Sequence, residues 1–344
     1  MKVNKELLRR IFSMIRNFFP QWRIYGFSVA FWSLVFPLHR LFVCFRSFFG
    51  IKKHGAILKY LMKHYGKILK GVADRNTAPN TFIGHESTIW VSWWDGEETM
   101  PPLVKVCYKS ILKHAGKHPV QLITKNNCRD FISIPEYVLD KVNAGIITIT
   151  HFSDILRANL LYKYGGIWMD ITILVLTDIT FENLPFYTLK APAKISASIS
   201  LARFAGLSNA LYIPETLHDG PQISRWSGFL FAGNRNSVIF ELIRDILHAY
   251  WKDHDDQIEY LLYDYAIALG YDNIPVIREM IDQVPCSNAE KFEMEKSLSG
   301  EYSEECFSRF FLTPFHKLTW KKAFNVYTKN NKLTIYGYLL KQFC

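Results

Sequence analysis

The sequence lacks the short motifs that mark several common enzyme classes. It contains no Walker phosphate-binding loop, no Gly-x-Ser-x-Gly turn and no Gly-x-Gly-x-x-Gly motif. P-loop phosphoryl transfer, α/β-hydrolase chemistry and nicotinamide-dependent dehydrogenation are therefore not expected. Closely spaced cysteines are absent too, since the six that are present lie far apart, at Cys44, Cys107, Cys128, Cys286, Cys306 and Cys344. This spacing predicts neither a zinc site nor a disulfide framework and is typical of a reducing compartment.

Acidic residues are scarce in the N-terminal part of the chain. Residues 1–70 contain fourteen Lys/Arg and one acid, Glu6, a balance of +13, whereas residues 71–344 have a balance of −3. A nucleic-acid-binding protein should carry basic charge on its recognition domain, so we expect no nucleic-acid partner. An anionic membrane surface suits a basic N-terminal segment better. With 49% apolar and 15% aromatic residues, the chain can still form a sizeable core.

The N-terminal segment also lacks an uninterrupted run of about 20 apolar residues, the length that a membrane span needs. A proline, a histidine and two arginines interrupt the hydrophobic stretch at residues 24–49, and no small-residue cleavage site follows it. A cleaved signal peptide is therefore not expected. Because apolar residues recur at helical spacing over 6–19, we predict that residues 1–80 form a basic, hydrophobic helical segment, with a linker at 74–81. It would lie on the cytoplasmic face of the membrane. The alternative is a helical cap packed on the body.

Residues 81–344 are predicted to form one α/β domain, because apolar strand-like runs alternate with helical patterns. The pattern predicts strands at 87–94, 119–124, 144–150, 166–175 and 225–233, and helices at 101–116, 151–166, 237–254 and 255–271. Such an order favours a mostly parallel sheet with helices on both faces. Ligands in sheets of this kind bind at the carboxyl ends of the strands.

Several polar residues stand out in this part of the chain. Asp170 lies inside the apolar run KYGGIWMDITILV at residues 163–175, where a carboxylate is costly unless it is paired or binds something. Asp154 and Arg157 are three residues apart and share one face of the predicted helix at 151–166. The alternative for those two is a local surface ion pair, which is common and contributes little to stability. The alternative for Asp170 is a carboxylate that caps a turn or pairs with a lysine.

The run HFSDILRANLLYKYGGIWMDITILV, preceded by STIWVSWWDG, resembles the capsular polysaccharide synthesis proteins. These are related to the DXD-containing, mannosyltransferase-type sugar transferases of glycosyltransferase family 32. The resemblance continues through RWSGFLFAGNRNSVIFELIRDIL, LLYDYAIAL and FHKLTW, and covers roughly residues 86–320. It implies a GT-A-like fold, in which a nucleotide-binding α/β half is joined to an acceptor-binding half. It also implies transfer of a sugar from a nucleotide donor, with retention at the anomeric carbon.

The resemblance gives Asp170 a catalytic role, as the residue that holds a divalent cation (Mn²⁺ or Mg²⁺) or the donor sugar. Here, however, the usual Asp-x-Asp pattern reads Asp-Ile-Thr, with Thr172 in place of the second carboxylate. That change weakens a cage for a hard cation. Thr172 is expected to ligate weakly or to bond a donor hydroxyl.

The resemblance also implies a nucleotide site. Asp154 would bind the ribose or base, and Arg157 would position Asp170 or the donor. Trp94, or else Trp93, would stack on the base, since an aromatic plane can stack on any base. Packing in the core is the alternative for these two side chains.

The resemblance also implies roles for four further donor-binding residues and for one further catalytic residue. Ser227 and Gly228 would form a loop beside the donor sugar, and Asp264 would lie near the sugar and the acceptor. His316 and Lys317 would bind the pyrophosphate. The alternatives are a satisfied buried carboxylate for Asp264 and an exposed tail for the last two.

These expectations predict a membrane-associated glycosyltransferase. It would add a sugar from a UDP- or GDP-sugar to a lipid-linked capsular or other surface glycan. The alternative is a non-catalytic, membrane-associated partner of a glycan assembly complex, which the missing second aspartate favours.

Overall fold

The computed structural model describes residues 5–37, 46–75, 83–84, 86–180, 184–193, 222–224, 226–285 and 290–344. Most of the predicted linker at 74–81 and two of the polar interruptions of the N-terminal stretch, His39 and Arg40, lie outside these residues.

The described residues form thirteen α-helices. They are α1 (Lys5–Tyr25), α2 (Phe27–Val35), α3 (Arg46–Asp74), α4 (Pro102–His114), α5 (Cys128–Phe131), α6 (Glu136–Asn143), α7 (Ile149–Tyr164), α8 (Val238–Asp253), α9 (Leu262–Asn273), α10 (Pro275–Asp282), α11 (Glu293–Ser297), α12 (Glu304–Ser308) and α13 (Ile335–Phe343). The strands are β1 (Ile89–Ser92), β2 (Val120–Ile123), β3 (Gly166–Met169), β4 (Ile173–Val175), β5 (Phe186–Thr188), β6 (Ala191–Ala193), β7 (Gln222–Ser224), β8 (Leu230–Gly233) and β9 (Phe315–Lys317).

Five strands form the central sheet, in the order β2-β1-β3-β8-β5. β1 pairs in parallel with both β2 and β3, whereas β8 runs antiparallel to β3 and β5. The sequence prediction of a mixed α/β protein with a parallel-rich sheet is therefore confirmed. β4 and β9 form a separate antiparallel pair.

Three predicted strands and one predicted helix differ from the structure. The described part of the run at 225–233 is a strand only at Leu230–Gly233, and the helix predicted at 255–271 begins at Leu262. Residues 144–150 form a turn and the first residues of α7, where the Thr148 hydroxyl caps the helix by accepting from the His151 backbone N–H. The run at 166–175 is two strands, β3 and β4, separated by a turn at residues 170–172. Asp170 thus lies directly after a strand rather than inside one.

The three N-terminal helices pack on the body of the protein. Tyr25, Ile57 and Leu61 are buried in the same apolar core as β1 and β3. α3 lies against α8 and α9, and the Tyr25 hydroxyl lies 2.8 Å from that of Tyr250. Among the described residues, no helix combines the length and the apolar character that crossing a bilayer requires. The division at residue 80 and the contact of this segment with a membrane stay predictions.

Candidate functional site

Two glycines connect α7 to β3 and set where β3 ends. Gly165 has φ +69°, and a Cβ on it would lie 2.5 Å from the Arg235 backbone nitrogen. Gly166 has φ +97°, and its Cβ would lie 2.4 Å from the Thr88 carbonyl oxygen. Neither position has room for a side chain, and both have a backbone conformation that favours glycine. The pair lets the chain pass directly from α7 into the sheet, so that Asp170 follows the carboxyl end of β3.

Asp170 is held by three side chains. Its Oδ2 accepts a hydrogen bond of 2.7 Å from Lys317 Nζ, and its Oδ1 accepts one of 3.0 Å from Trp168 Nε1. The Arg157 guanidinium lies 3.6 Å from Oδ1. Burial on its own would raise the pKa of this carboxyl, but Lys317 and Arg157 outweigh that effect and lower it. Asp170 is therefore ionised in the folded protein.

Lys317 reaches the site from the far end of the chain. It lies on β9, opposite Ile173 of β4, and its side chain is 21% exposed. Besides Asp170, its ammonium donates to Thr172 Oγ1 at 2.7 Å and lies 5.1 Å from the Phe229 ring centroid. The two polar side chains of the Asp-Ile-Thr turn are thus bridged by one cation.

Arg157 is the buried centre of the cluster, with a side chain only 6% exposed. It donates to Asp154 Oδ1 at 3.0 Å and to the Gly228 carbonyl. Its guanidinium carbon lies 5.2 Å from the Trp168 ring centroid and 4.8 Å from that of Tyr263. These contacts fix its position, and they differ from those of a surface ion pair.

Two further carboxylates lie close to the guanidinium and have raised pKa values. Burial raises the pKa of Asp154 to about 7; Arg157 opposes the shift, and Asp264 and Asp170 add to it. Burial also raises the pKa of Asp264, which accepts a 2.8 Å hydrogen bond from Trp226 Nε1. The site therefore contains one firmly ionised carboxylate beside two that hold their protons more tightly than usual.

The loop before β8 contacts the cluster at Arg157. Gly228 accepts from Arg157, and a Cβ on it would lie 3.4 Å from the guanidinium. The Ser227 hydroxyl is buried, donates to the Leu189 carbonyl at 2.8 Å and accepts from Lys291 at 2.8 Å. Of these two predicted donor residues, Gly228 contacts the cluster directly and Ser227 supports the loop.

Trp93 and Trp94 follow the carboxyl end of β1. Because β1 and β3 are parallel and Trp90 pairs with Trp168, Asp170 follows β3 at the same end of the sheet. Trp93 donates to Thr99 Oγ1 at 2.8 Å, and Trp94 packs edge-on against Phe152 at 5.0 Å between ring centroids. Both are partly exposed.

The structure does not bring His316 to the cluster. Its neighbour Lys317 points to Asp170, and successive side chains of a strand point to opposite faces. His316 is fully buried, and its Nε2 lies 3.0 Å from the Phe310 carbonyl oxygen. Burial lowers its pKa to about 4, so it is neutral. The predicted contact with pyrophosphate stays a prediction.

The family follows from a match over most of the sequence. A family model described as capsular polysaccharide synthesis protein matches residues 41–339. The chain belongs to this family. The sequence-based resemblance to it is thereby confirmed, whereas the relation to family 32 stays a prediction. No curated protein matches the chain. It is also similar to the solved structure of the PaToxG glycosyltransferase, at 14% identity and a TM-score of 0.35, over 70% of this chain and 85% of that one.

In this member of the family, sequence reasoning missed three aromatic side chains that hold the cluster: Trp168, Tyr263 and Phe229. Trp168 could have been found from the period of a strand, since it precedes Asp170 by two residues and therefore shares its face. Tyr263 and Phe229 are neighbours of predicted site residues, but no pattern in the sequence indicates their contacts with cations.

The side chains around Asp170 do not fit the divalent cation that the resemblance implies. Among the described residues there is no group of three or more His, Cys, Asp or Glu side chains that could hold a metal ion. Asp170 is instead contacted by an ammonium and a guanidinium. A hard cation prefers several oxygen ligands, and two of the oxygens available here already accept from Lys317.

Proposed function

We propose that the protein is a glycosyltransferase that moves a sugar from a nucleotide-sugar donor to a glycan acceptor in the synthesis of a capsular or other surface polysaccharide. The observation that carries this proposal is the convergence of Asp154, Arg157, Asp170 and Lys317 at the carboxyl end of β3, in a chain of this family. The four residues come from three parts of the fold: α7 carries Asp154 and Arg157, the turn after β3 carries Asp170, and β9 carries Lys317. The ends of parallel strands are where such sheets bind ligands.

The chemistry needs charge neutralisation and positioning more than a covalent intermediate. The bond between the anomeric carbon and the diphosphate oxygen breaks, and the acceptor hydroxyl oxygen forms a bond to that carbon. The proton of this hydroxyl passes to the departing phosphate. Attack from the face that the phosphate leaves retains the configuration. Lys317 balances the growing negative charge of the leaving diphosphate, and Asp170 orients the donor.

The neighbouring residues have supporting roles in the proposal. Trp94 or Trp93 stacks on the base, Asp154 binds the ribose, and Asp264 contacts the transferred sugar or the acceptor. The raised pKa of Asp154, about 7, suits hydrogen bonding to ribose hydroxyls, because a protonated carboxyl both donates and accepts. The donor is a UDP- or GDP-sugar in a GT-A-like arrangement, and the acceptor is a lipid-linked glycan.

Donor-dependent stabilisation of the full-length protein tests the proposal. UDP-, GDP- and CMP-sugars are screened for their effect on the free energy of unfolding. A donor bound only by the folded state, at 100 times its Kd, should add about 2.7 kcal/mol. Asp170→Asn should abolish both this gain and sugar transfer. Asp178→Asn, which removes a carboxylate that is 80% exposed, is the matched control and should retain both.

If no donor stabilises the folded wild-type protein and no transfer occurs, the transferase proposal fails. The non-catalytic partner of a glycan assembly complex then takes its place. Equal stabilisation of wild type and Asp170→Asn would place the donor elsewhere on the protein.

We further propose that the N-terminal helices hold the enzyme on the cytoplasmic face of an anionic membrane. α1 and α2 expose large aromatic side chains, among them Phe12 (71% exposed), Phe19, Trp22 and Phe27. Phe19, Trp22 and Arg23 line a shallow groove. Exposed aromatic residues combined with basic charge are the features of interfacial membrane helices.

A further inference from the structure

One ammonium bridges the two polar side chains of the Asp-Ile-Thr turn. Lys317 Nζ lies 2.7 Å from Asp170 Oδ2 and 2.7 Å from Thr172 Oγ1. In an Asp-x-Asp motif these two positions would carry the two carboxylates. The side chain that replaces the second carboxylate, a threonine hydroxyl, is neutral and therefore suits a monovalent ammonium better than a divalent ion.

The backbone fixes Lys317 in this position. Lys317 pairs with Ile173 in the β4–β9 ladder, and its backbone N–H donates to the Lys291 carbonyl at 2.7 Å. The next residue, Leu318, donates its N–H to the Thr172 carbonyl at 3.0 Å. The same turn that carries the carboxylate thus also holds the strand that carries the cation.

Lys317 retains the means to bind an anion. An ammonium group has three N–H donors, and Asp170 and Thr172 accept two of them in the described structure. Because the Lys317 side chain is partly exposed, its third N–H can donate to a ligand on the solvent side of the cluster. Arg157, 3.6 Å from the other oxygen of Asp170, gives the carboxylate a second cation.

A divalent ion placed on Asp170 would meet these same two cations. It would have to displace Lys317 from both oxygens or lie against a like charge, which is unfavourable at such distances. Lys317 and Arg157 thus supply positive charge at the position where a divalent cation would otherwise lie.

We infer that Lys317 takes the place of the divalent cation at this turn, and that the site binds the nucleoside diphosphate part of its donor without metal. This inference rests on the proposed transferase function and specifies how that site recognises its substrate.

Nucleotide binding to the full-length protein, measured by titration calorimetry, tests it. UDP and GDP are each titrated in EDTA and in excess Mn²⁺. The expected result is binding of one of them with the same Kd in both conditions. Lys317→Ala should weaken binding in EDTA by about tenfold or more, the value of a hydrogen bond to a charged group. Lys332→Ala removes an equal charge from an exposed pair with Glu301 and should have no effect.

A double variant tests whether nucleotide binding can be made dependent on Mn²⁺. This dependence would not change if Lys317 only supported the structure. Lys317→Ala combined with Thr172→Asp restores Asp-x-Asp and removes the ammonium. Its nucleotide binding should become dependent on Mn²⁺, and its Mn²⁺ affinity, followed by electron paramagnetic resonance, should exceed that of the wild type. Where Lys317→Ala does not fold, Lys317→Gln serves in both comparisons.

The outcomes separate the inference from the proposed function. Wild-type binding that needs Mn²⁺ overturns the inference and leaves the transferase proposal intact. Unchanged binding by Lys317→Ala in EDTA also overturns it. If the folded wild-type protein binds no nucleotide in EDTA and none in Mn²⁺, the transferase proposal itself is overturned.

Discussion

Asp154 and Asp170 contact the same guanidinium, yet their pKa values shift in opposite directions. Asp170 receives Lys317 and Trp168 as well as Arg157, so its ionised form is favoured. Asp154 has Arg157 as its cation and lies near two other carboxyls, so burial prevails and its pKa rises to about 7. One residue is thus a fixed charge and the other a group that titrates near neutrality.

Replacing Asp154 should therefore change how stability depends on pH. A carboxyl with a raised pKa binds its proton more tightly in the folded state, so its contribution to stability falls as pH rises from about 4 to about 7. Asp154→Asn removes this loss. From pH 5 to pH 8, the free energy of unfolding of the variant should gain at least about 1.4 kcal/mol relative to wild type. Urea unfolding at the two pH values measures this difference.

Other titrating groups do not obscure the comparison, because both proteins contain them. Asp170, with its lowered pKa, stabilises the fold above about pH 4 and contributes equally at pH 5 and pH 8. Buried histidines with lowered pKa values, such as His316, stabilise the fold as pH rises, in both proteins alike. A difference between variant and wild type that is the same at both pH values would contradict the role given to Asp154.

At the scale of elements, the junction of α7 and β3 decides where the charged cluster forms. Gly165 ends α7, and Gly166 begins β3. Backbone atoms of residues 233–235 lie close to Gly165, and the Thr88 carbonyl lies close to Gly166. The junction is therefore packed without space on both sides. A shift here would move Asp154 on the helix relative to Asp170 after the strand.

Gly165→Ala should be severely destabilising, and a second glycine provides the control. Gly145 has a similar φ of +72° but has no atom within 4 Å of an added Cβ, so alanine there costs only backbone strain. That cost is about 1–2 kcal/mol. Gly165→Ala must in addition push backbone atoms apart, and we expect a loss at least about 2 kcal/mol larger. Thermal and urea unfolding of the two variants test this, and equal losses would contradict it.

The sequence predicts the long periodic elements well. The helix predicted at 237–254 is α8 (Val238–Asp253), and that at 101–116 is α4 (Pro102–His114), because apolar spacing and the flanking prolines or glycines act locally. The run at 144–150 was wrongly predicted as a strand. Its isoleucines and threonines favour strands, but Thr148 acts as a helix cap instead.

The candidate site is predicted less completely than the elements. The Asp154–Arg157 pair follows from helical spacing, but its burial does not. The contact of Asp170 with Lys317 joins residues 147 positions apart and depends on the β4–β9 pairing, which no local pattern encodes. The break between β3 and β4 has the same origin, because Asp170 and Thr172 turn towards a strand that is distant in sequence.

At the scale of the whole molecule, the N-terminal helices have one face buried in the core and another exposed. On one side Tyr25, Ile57 and Leu61 belong to the common core. On the other, Phe12, Phe19 and other aromatic side chains are exposed. A membrane bound at this exposed face would therefore be attached to the body through packed helices rather than through a loose tether.

Binding to vesicles tests that arrangement. The full-length protein should sediment with vesicles that contain phosphatidylserine, and far less with pure phosphatidylcholine vesicles. Raising the salt should release part of it, because screening weakens the basic contribution. Phe19→Ser combined with Trp22→Ser should weaken binding, whereas Tyr327→Ser, at an exposed aromatic residue of the C-terminal region, should not. Equal binding to both kinds of vesicle, or by both variants, would contradict the assignment of this face.

The β4–β9 pairing also sets when the site can exist during synthesis. The ribosome makes Arg157, Asp170 and Thr172 well before the lysine that bridges the turn. Lys317 follows Asp170 by 147 residues and lies on β9. A ribosome-bound chain that has folded its sheet still lacks this strand. Nascent copies consequently carry an incomplete cluster, in which Asp170 has Arg157 beside it but not yet Lys317. The finished site is acquired only when β9 has left the ribosome and has paired with β4.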